Sequence, residues 1–249
     1  MPRFYDAYLR HSKYYRLLLH RIGEAFNNDN ELNQLDSDWR NIELGQAWAA
    51  ANWNRFKDAA EVCSRYHSAA VNLRYVRQSA YDNVNWGRAA VAATRMLNRR
   101  KTLGFHLSML GLAYSALGET QDAIACYEER LAIAQELDDK HAESLALTNL
   151  GSVYGDLGDT NRAIELHEKS LRLSREIGDR LLEGRALGHL GNQLRQLGDN
   201  EGAIQTHKES LNIARQLEDR LGEGRALGNL ANVHLYLRET ERAAKLYND

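Results

Sequence analysis

Between Glu183 and Asp199 the apolar residues Ala186, Leu187, Leu190, Leu194 and Leu197 recur at the three- and four-residue spacing that gathers them on one side of a helix. Gly198 predicts a left-handed stop. Asp199 and Asn200 behind it are placed to cap a second helix, with apolar residues Ala203, Ile204, Leu211, Ile213 and Ala214. The same order returns at forty-residue offsets. Its first motif reads LGLAYSALGE at Leu110, LGSVYGDLGD at Leu150, LGNQLRQLGD at Leu190 and LANVHLYLRE at Leu230. Its second reads DAIACYEERL, RAIELHEKSL, GAIQTHKESL and, cut short, RAAKLYND. Asp139, Asp179 and Asp219 mark the linkers into successive repeats, and no proline after Pro2 interrupts any helix. One helix pair cannot hide its own apolar faces. The pattern therefore predicts an all-α protein, a right-handed superhelical solenoid of stacked antiparallel helix pairs.

The residues held constant are specific enough to carry a resemblance. Leu150, Gly151, Tyr154, Ala163 and His167 stand where Leu110, Gly111, Tyr114, Ala123 and Tyr127 stand one repeat earlier, and Leu190, Gly191, Leu194, Ala203 and His207 one repeat later. This order resembles the tetratricopeptide repeat signature. The period is forty rather than the usual thirty-four, Leu107, Leu147, Leu187 and Leu227 occupy the usual Trp position, and the terminal proline is missing. The longer period is similar to the repeats of Pins-type polarity adaptors, kinesin light chains and many bacterial signalling proteins. On this reading residues 100–249 hold three full repeats and one truncated repeat.

Residues 1–99 form a divergent helical region. All four tryptophans, Trp39, Trp48, Trp53 and Trp86, lie there. DSDWRNIELGQAWAAAN (Asp36 to Asn52) reads as a capped helix with Ile42, Trp48 and Ala49 on one side, and KDAAEVCSRYHSAAVNLRYVR with AYDNVNWGRAAVAATRML reads as a degenerate repeat pair. From Phe4 to Leu97 this order resembles the region behind the nucleotide-binding module of bacterial STAND-type signalling ATPases. No GxxxxGK[ST] phosphate loop occurs in the chain. At the other end, Asp249 aligns with Glu209, so the last helix stops about two turns early. The expectation is a fragment of a longer repeat protein, or an open end that supports end-to-end self-association.

Composition changes this picture little. Residues 1–101 carry 16 basic against 10 acidic side chains and the remainder 16 against 24, with no dense basic patch for phosphate backbones, so nucleic acid is not an expected partner. No apolar run is long enough to cross a bilayer and the amino terminus lacks a secretory cleavage pattern, so a cytoplasmic, membrane-free protein is expected. Cys63 and Cys126 form no CxxC and read as small buried side chains. No cofactor or metal is indicated. No GxSxG, HExxH or Cys/His/carboxylate arrangement points to catalysis, so an enzyme is not expected.

The leucines explain most of the repetition but not the recurrent Arg and Asn. At 100° per residue Arg185, His189, Asn192 and Gln196 fall within about 60° of one another, opposite Leu190 and Leu194. The next repeat places Arg225, Asn229, Asn232 and Tyr236 there, and the preceding one Leu145, Asn149, Ser152 and Asp156. The family resemblance implies that this face lines a concave groove holding a partner peptide, with Asn149, Asn192, Asn229 and Asn232 at the family's asparagine positions. Carboxamides donate and accept together, which suits an extended backbone, and Arg185 and Arg225 suit an acidic group. A solvated face is a plainer alternative, as is pairing of the arginines with Glu183, Glu223 or a neighbouring helix. In the earliest repeat the stripe is apolar, Phe105, Met109, Leu112 and Ala116, and reads either as a pocket for a ligand side chain or as a surface covered by the amino-terminal helices, the second being preferred. His167 and His207 stand at an inter-helix packing position rather than in a metal site. A peptide-binding scaffold or sensor is the leading expectation; end-to-end assembly, or docking of the Trp-rich region on a nucleotide-binding module, are the alternatives.

Overall fold

The computed structural model describes residues 2–24, 29–70 and 78–248. The VNLRYVR part of the second quoted segment, and Asp249, lie outside them. Every regular element among the described residues is an α-helix. The chain divides into two compact units, Met1–Glu129 and Arg130–Asp249. The first contains α1 (Pro2–Glu24), α2 (Asp29–Asn52), α3 (Lys57–Ala69), α4 (Ala80–Met96) and α5 (Arg100–Leu117); α6 (Thr120–Glu136) runs across the boundary. The second contains α7 (Lys140–Asp156), α8 (Thr160–Glu176), α9 (Arg180–Leu197), α10 (Asn200–Gln216), α11 (Arg220–Tyr236) and α12 (Thr240–Asn248).

From α5 onward the punctuation has a period of twenty, half that visible in the sequence. Left-handed residues fall at Asn98, Gly118, Asp138, Gly158, Gly178, Gly198, Glu218 and Arg238. Glycine takes this conformation without steric cost. The four other side chains hold it because the helix ends there and the next one starts two residues on. The carboxylates of Asp139, Asp159, Asp179, Asp199 and Asp219 then accept from backbone N–H groups at the starts of α7 to α11, at 2.9 to 3.2 Å. Leu197, grouped by its spacing with the apolar side, sits in the last turn and is more than half exposed, and Leu157 and Leu237 at the matching positions are exposed to lesser degrees.

The three full repeats each close on a ring seated over a glycine. An added Cβ at Gly151 would stand 2.6 Å from the His167 ring, and one at Gly191 2.6 Å from His207. In the first unit Gly111 and Tyr127 make the same seat at 2.6 Å. The fourth repeat has Ala231 instead of glycine. There Tyr247, expected at the packing position, is 55% exposed and donates its hydroxyl proton to Asn232 Oδ1 at 2.7 Å. A second seam joins α7 to α8, where Ser144, Thr148 and Ser170 share hydrogen bonds of 2.8 to 3.2 Å, and α9 to α10, where Ser210 Oγ donates to the Gly184 carbonyl at 2.8 Å.

The first unit is built differently. Helix α2 begins at Asp29, about two turns before the expected Asp36, and Leu35 is already fully buried beside Ile42 and Ala49. The tryptophans point inward: Trp39 stacks on Trp86 at 6.2 Å and Trp48 packs against Tyr5 and Tyr8. Gly45 lets α2 approach α1 and α3, for a Cβ there would meet the Tyr66 hydroxyl, which instead donates to the Ser12 carbonyl at 2.9 Å. Cys63 and Cys126 are both buried, and burial pushes each thiol up to about 12, which keeps them protonated.

Candidate functional site

In the second unit the helices that open each repeat, α7, α9 and α11, also touch one another in sequence. Asn149 and Ser152 on α7, His189 and Asn192 on α9, and Asn229 on α11 are half-buried, whereas Arg185, Arg225, Asn232 and Tyr236 are exposed. The one direct link across helices within this set is Ser152 Oγ to His189 Nδ1 at 3.3 Å. The His189 ring also lies flat on His167, with centroids 5.2 Å apart and planes 16° from parallel. His189 therefore belongs partly to the packing between helices. Asn232 is engaged by Tyr247, and Tyr236 reaches solvent with two thirds of its surface.

The carboxylates beside the two arginines are occupied elsewhere. Glu183, almost fully buried, takes Arg175 at 2.8 Å and a close contact from Arg180; Glu223 takes Arg215 at 2.7 Å. Gln135 donates to Glu143 at 2.8 Å in the same arrangement one repeat earlier. Glutamate at the start of each opening helix thus ties down the long polar side chain eight residues before it, across the linker. That pairing was written in the sequence as Gln135, Arg175 and Arg215 before Glu143, Glu183 and Glu223, but its partners only become evident once the linker's path is known. Among the described residues no carboxylate lies within ion-pair distance of Arg185 or Arg225, so the plainer alternative of pairing with Glu183 or Glu223 does not hold.

Burial favours the neutral form of His167, His189 and His207. It lowers His167 to about 3, with His189 adding repulsion, and His207 to about 4, with Arg195 adding to it. His189 is also lowered, by burial first and then by Arg225 and Arg185, against the opposing pull of Asp156. All four ring nitrogens of His167 and His207 are sealed and unpartnered, which fits rings used for their shape over glycine. Among the described residues no group of three or more His, Cys, Asp or Glu lies close enough to hold a metal ion.

Three further features lie apart from the stripe of arginines and asparagines. In the first unit Phe105, Leu112 and Ala116 are exposed and Met109 half-buried, so the preferred reading, coverage by the amino-terminal helices, is not what the structure has. The tryptophans of those helices, with Tyr66, pack in or against their own core instead. Also in that unit, Thr94 donates to Ser64 at 2.9 Å, Ser64 lies 3.1 Å from His106 Nε2, and His106 Nδ1 lies 3.1 Å from His67 Nδ1. Every member is buried, and burial lowers His106 to about 4. This buried chain of hydroxyls and imidazoles satisfies polar groups within the core. In the second unit a cleft of about 490 Å³ between α11 and α12 is lined by Gly224, Gly228, Leu246 and Tyr247. It lies where Ser170 and Ser210 close the seam in the two preceding repeats.

Helix pairs of forty residues, aspartate caps and a ring seated over a small residue define a repeat protein of stacked helical hairpins, a class whose members act as protein-interaction modules. The tetratricopeptide repeat family model matches residues 103–176 and 182–249, more than half of the chain, and the protein belongs to that family. None of the curated proteins compared matches the sequence. Among solved structures, BtubC (BKLC) from P. vanneervenii is similar with a TM-score of 0.64 and 17% identity over 82% of this chain and 88% of its own. A STAND signal transduction ATPase from Pyrococcus horikoshii, described as having a tetratricopeptide repeat sensor, gives 0.69 and 18% over 96% of this chain and 36% of its own. A Rap protein complexed with competence and sporulation factor gives 0.68 and 11% over 98% of this chain and 75% of its own. At these identities the likeness shows the fold. No helix among the described residues is long and apolar enough to cross a membrane.

Proposed function

We propose that the chain binds an extended, acidic peptide segment of a partner protein along the face of α7, α9 and α11, as a cytoplasmic scaffold or as the sensor arm of a larger signalling assembly. The observation that carries this reading is that Arg185 and Arg225 stand at matching positions on neighbouring helices, exposed and unpaired, while the glutamates two residues before them are taken by other cations. A repeated cation without an internal partner is suited to an external anion. Asn149, Asn192 and Asn229 flank the arginines with groups that donate and accept, matching a peptide backbone whatever its side chains. A charge-assisted bond shielded from water contributes roughly 1.5 to 3 kcal/mol. The Rap complex and the ATPase described with a repeat sensor are the neighbours that favour ligand binding.

The test is fluorescence anisotropy with a panel of labelled acidic, neutral and basic peptides. Acidic peptides are expected to bind best, and Arg185→Ala with Arg225→Ala to weaken them at least about tenfold, with a flatter salt dependence. Equal binding by the double variant overturns the proposal.

A second reading has its own support. Phe4, Tyr8, Tyr14 and Leu17 of α1 are each more than half exposed, a larger apolar display than the tryptophans, which face the core. Docking of the amino-terminal helices on another domain is therefore tested with Phe4→Ser, Tyr8→Ser and Tyr14→Ser rather than with tryptophan variants, which would damage the core.

A further inference from the structure

His189 joins the packing of α7 and α9 to the face carrying the two arginines. Its Nδ1 lies 3.3 Å from Ser152 Oγ, and that hydroxyl already donates its proton to the Thr148 carbonyl at 3.1 Å. The serine oxygen is thus the acceptor, and the neutral imidazole carries its proton on Nδ1. Nε2 is left with a bare lone pair. It has no partner among the described residues and, unlike the ring nitrogens of His167 and His207, it is not sealed from solvent. Stacking on His167 fixes the plane of the ring. The charged and titratable groups around it are Arg185 on its own helix, Arg225 on α11, Asp156 on α7 and His167 on α8. Two guanidinium groups and partial burial hold the ring neutral against one carboxylate.

We propose that His189 is a proton-linked contact of this face: a carboxylate-bearing peptide that neutralises Arg185 and Arg225 draws a proton onto Nε2, and is held more tightly as the pH falls. This rests on the peptide-binding reading above. A bare Nε2 repels a carboxylate oxygen, whereas a protonated one donates a charge-assisted hydrogen bond to it. The ligand also cancels the repulsion that disfavours the imidazolium. The effect is reciprocal: the factor by which the ligand raises the ring's affinity for a proton is the factor by which the proton raises affinity for the ligand. The free ring titrates below its ordinary range, so the gain starts as the pH drops through the bound ring's midpoint and is complete below that of the free ring.

The experiment follows the Cε1–H signals of isotope-labelled histidines in the full chain during pH titration, with and without a blocked tetraglutamate peptide, His189 being assigned by its loss in His189→Gln. The peptide is expected to move the His189 midpoint to higher pH and to bind about tenfold more tightly at a pH of about 5.5 than at about 7.5. In His189→Gln the peptide still binds through the arginines, with little pH dependence. An unmoved His189 midpoint, equal affinity at both pH values in the unaltered chain, or a pH dependence that survives in the variant overturns the linkage and leaves the peptide-binding reading standing. Absence of tetraglutamate binding at either pH takes down both.

Discussion

The amino-terminal helices and the repeat array meet the same requirement, hiding one face of every helix, by opposite means. In α1 to α4 large rings fill irregular gaps: Trp39 on Trp86, Tyr66 beneath Gly45, Tyr5 between Trp48 and Phe56. In α7 to α10 each pair uses one glycine and one ring in a fixed register, Gly151 with His167 and Gly191 with His207. The difference teaches where tolerance to substitution lies. Repetition makes each seat essential in the same way, whereas an aromatic cluster can redistribute a change among several partners.

The largest expected effect comes from filling a seat. Gly151→Leu should destabilise the array by about 3 kcal/mol, read as a lower denaturant midpoint with an unchanged slope, because a Cβ there meets the rigid His167 ring at 2.6 Å. Gly224→Ala, with open space around it, should instead be neutral or slightly stabilising. If both variants behave alike, the seat is not what distinguishes the array.

Next comes pH. His167 and His207 are held neutral when folded, with values of about 3 and about 4, well below their ordinary range. The unfolded chain therefore binds more protons than the folded one between those values and about pH 6.5. Stability from this source is fully present above about pH 6.5 and is lost as the pH falls through that window, on the order of 2 kcal/mol per histidine by about pH 5. His167→Phe with His207→Phe should remove most of that decline in thermal melts across the range. An unchanged decline would place its origin elsewhere.

The smallest is a cap. Asp179→Ala removes the acceptor for the Leu182 N–H and should cost about 1 kcal/mol in chemical denaturation. Lys57→Ala at the start of α3, whose cap position is Phe56 with no side-chain bond, should cost much less.

Much of the array was legible because its signals are local. The forty-residue register, Asp199 as a cap, Gly198 as a left-handed stop and the apolar faces around Leu187, Leu190 and Leu211 all depend on residues within a turn or two of one another. The start of α2 was misplaced because DNELNQL carries few apolar residues, and Leu35 counts as core only when α1 and α3 are beside it. The twenty-residue punctuation escaped notice because only half of its left-handed positions are glycine. At the candidate site the stripe of Arg185, Asn192, Arg225 and Asn229 was readable as a helical face. The hydrogen bond of His189 to Ser152, thirty-seven residues away, was not.

By itself the sequence determined that this is a stack of helix pairs, where the helices that stop at a glycine end, and which side chains share a face. Those follow from backbone preferences and the 3.6-residue turn. Tertiary structure alone decided which charged groups are satisfied within the protein and which are left for something else. Arg175 reaches Glu183 and Glu209, while Arg185 and Arg225 reach no carboxylate. Ion pairing depends on distances between helices, set by how small residues and rings let them approach, and no spacing along the chain encodes that directly.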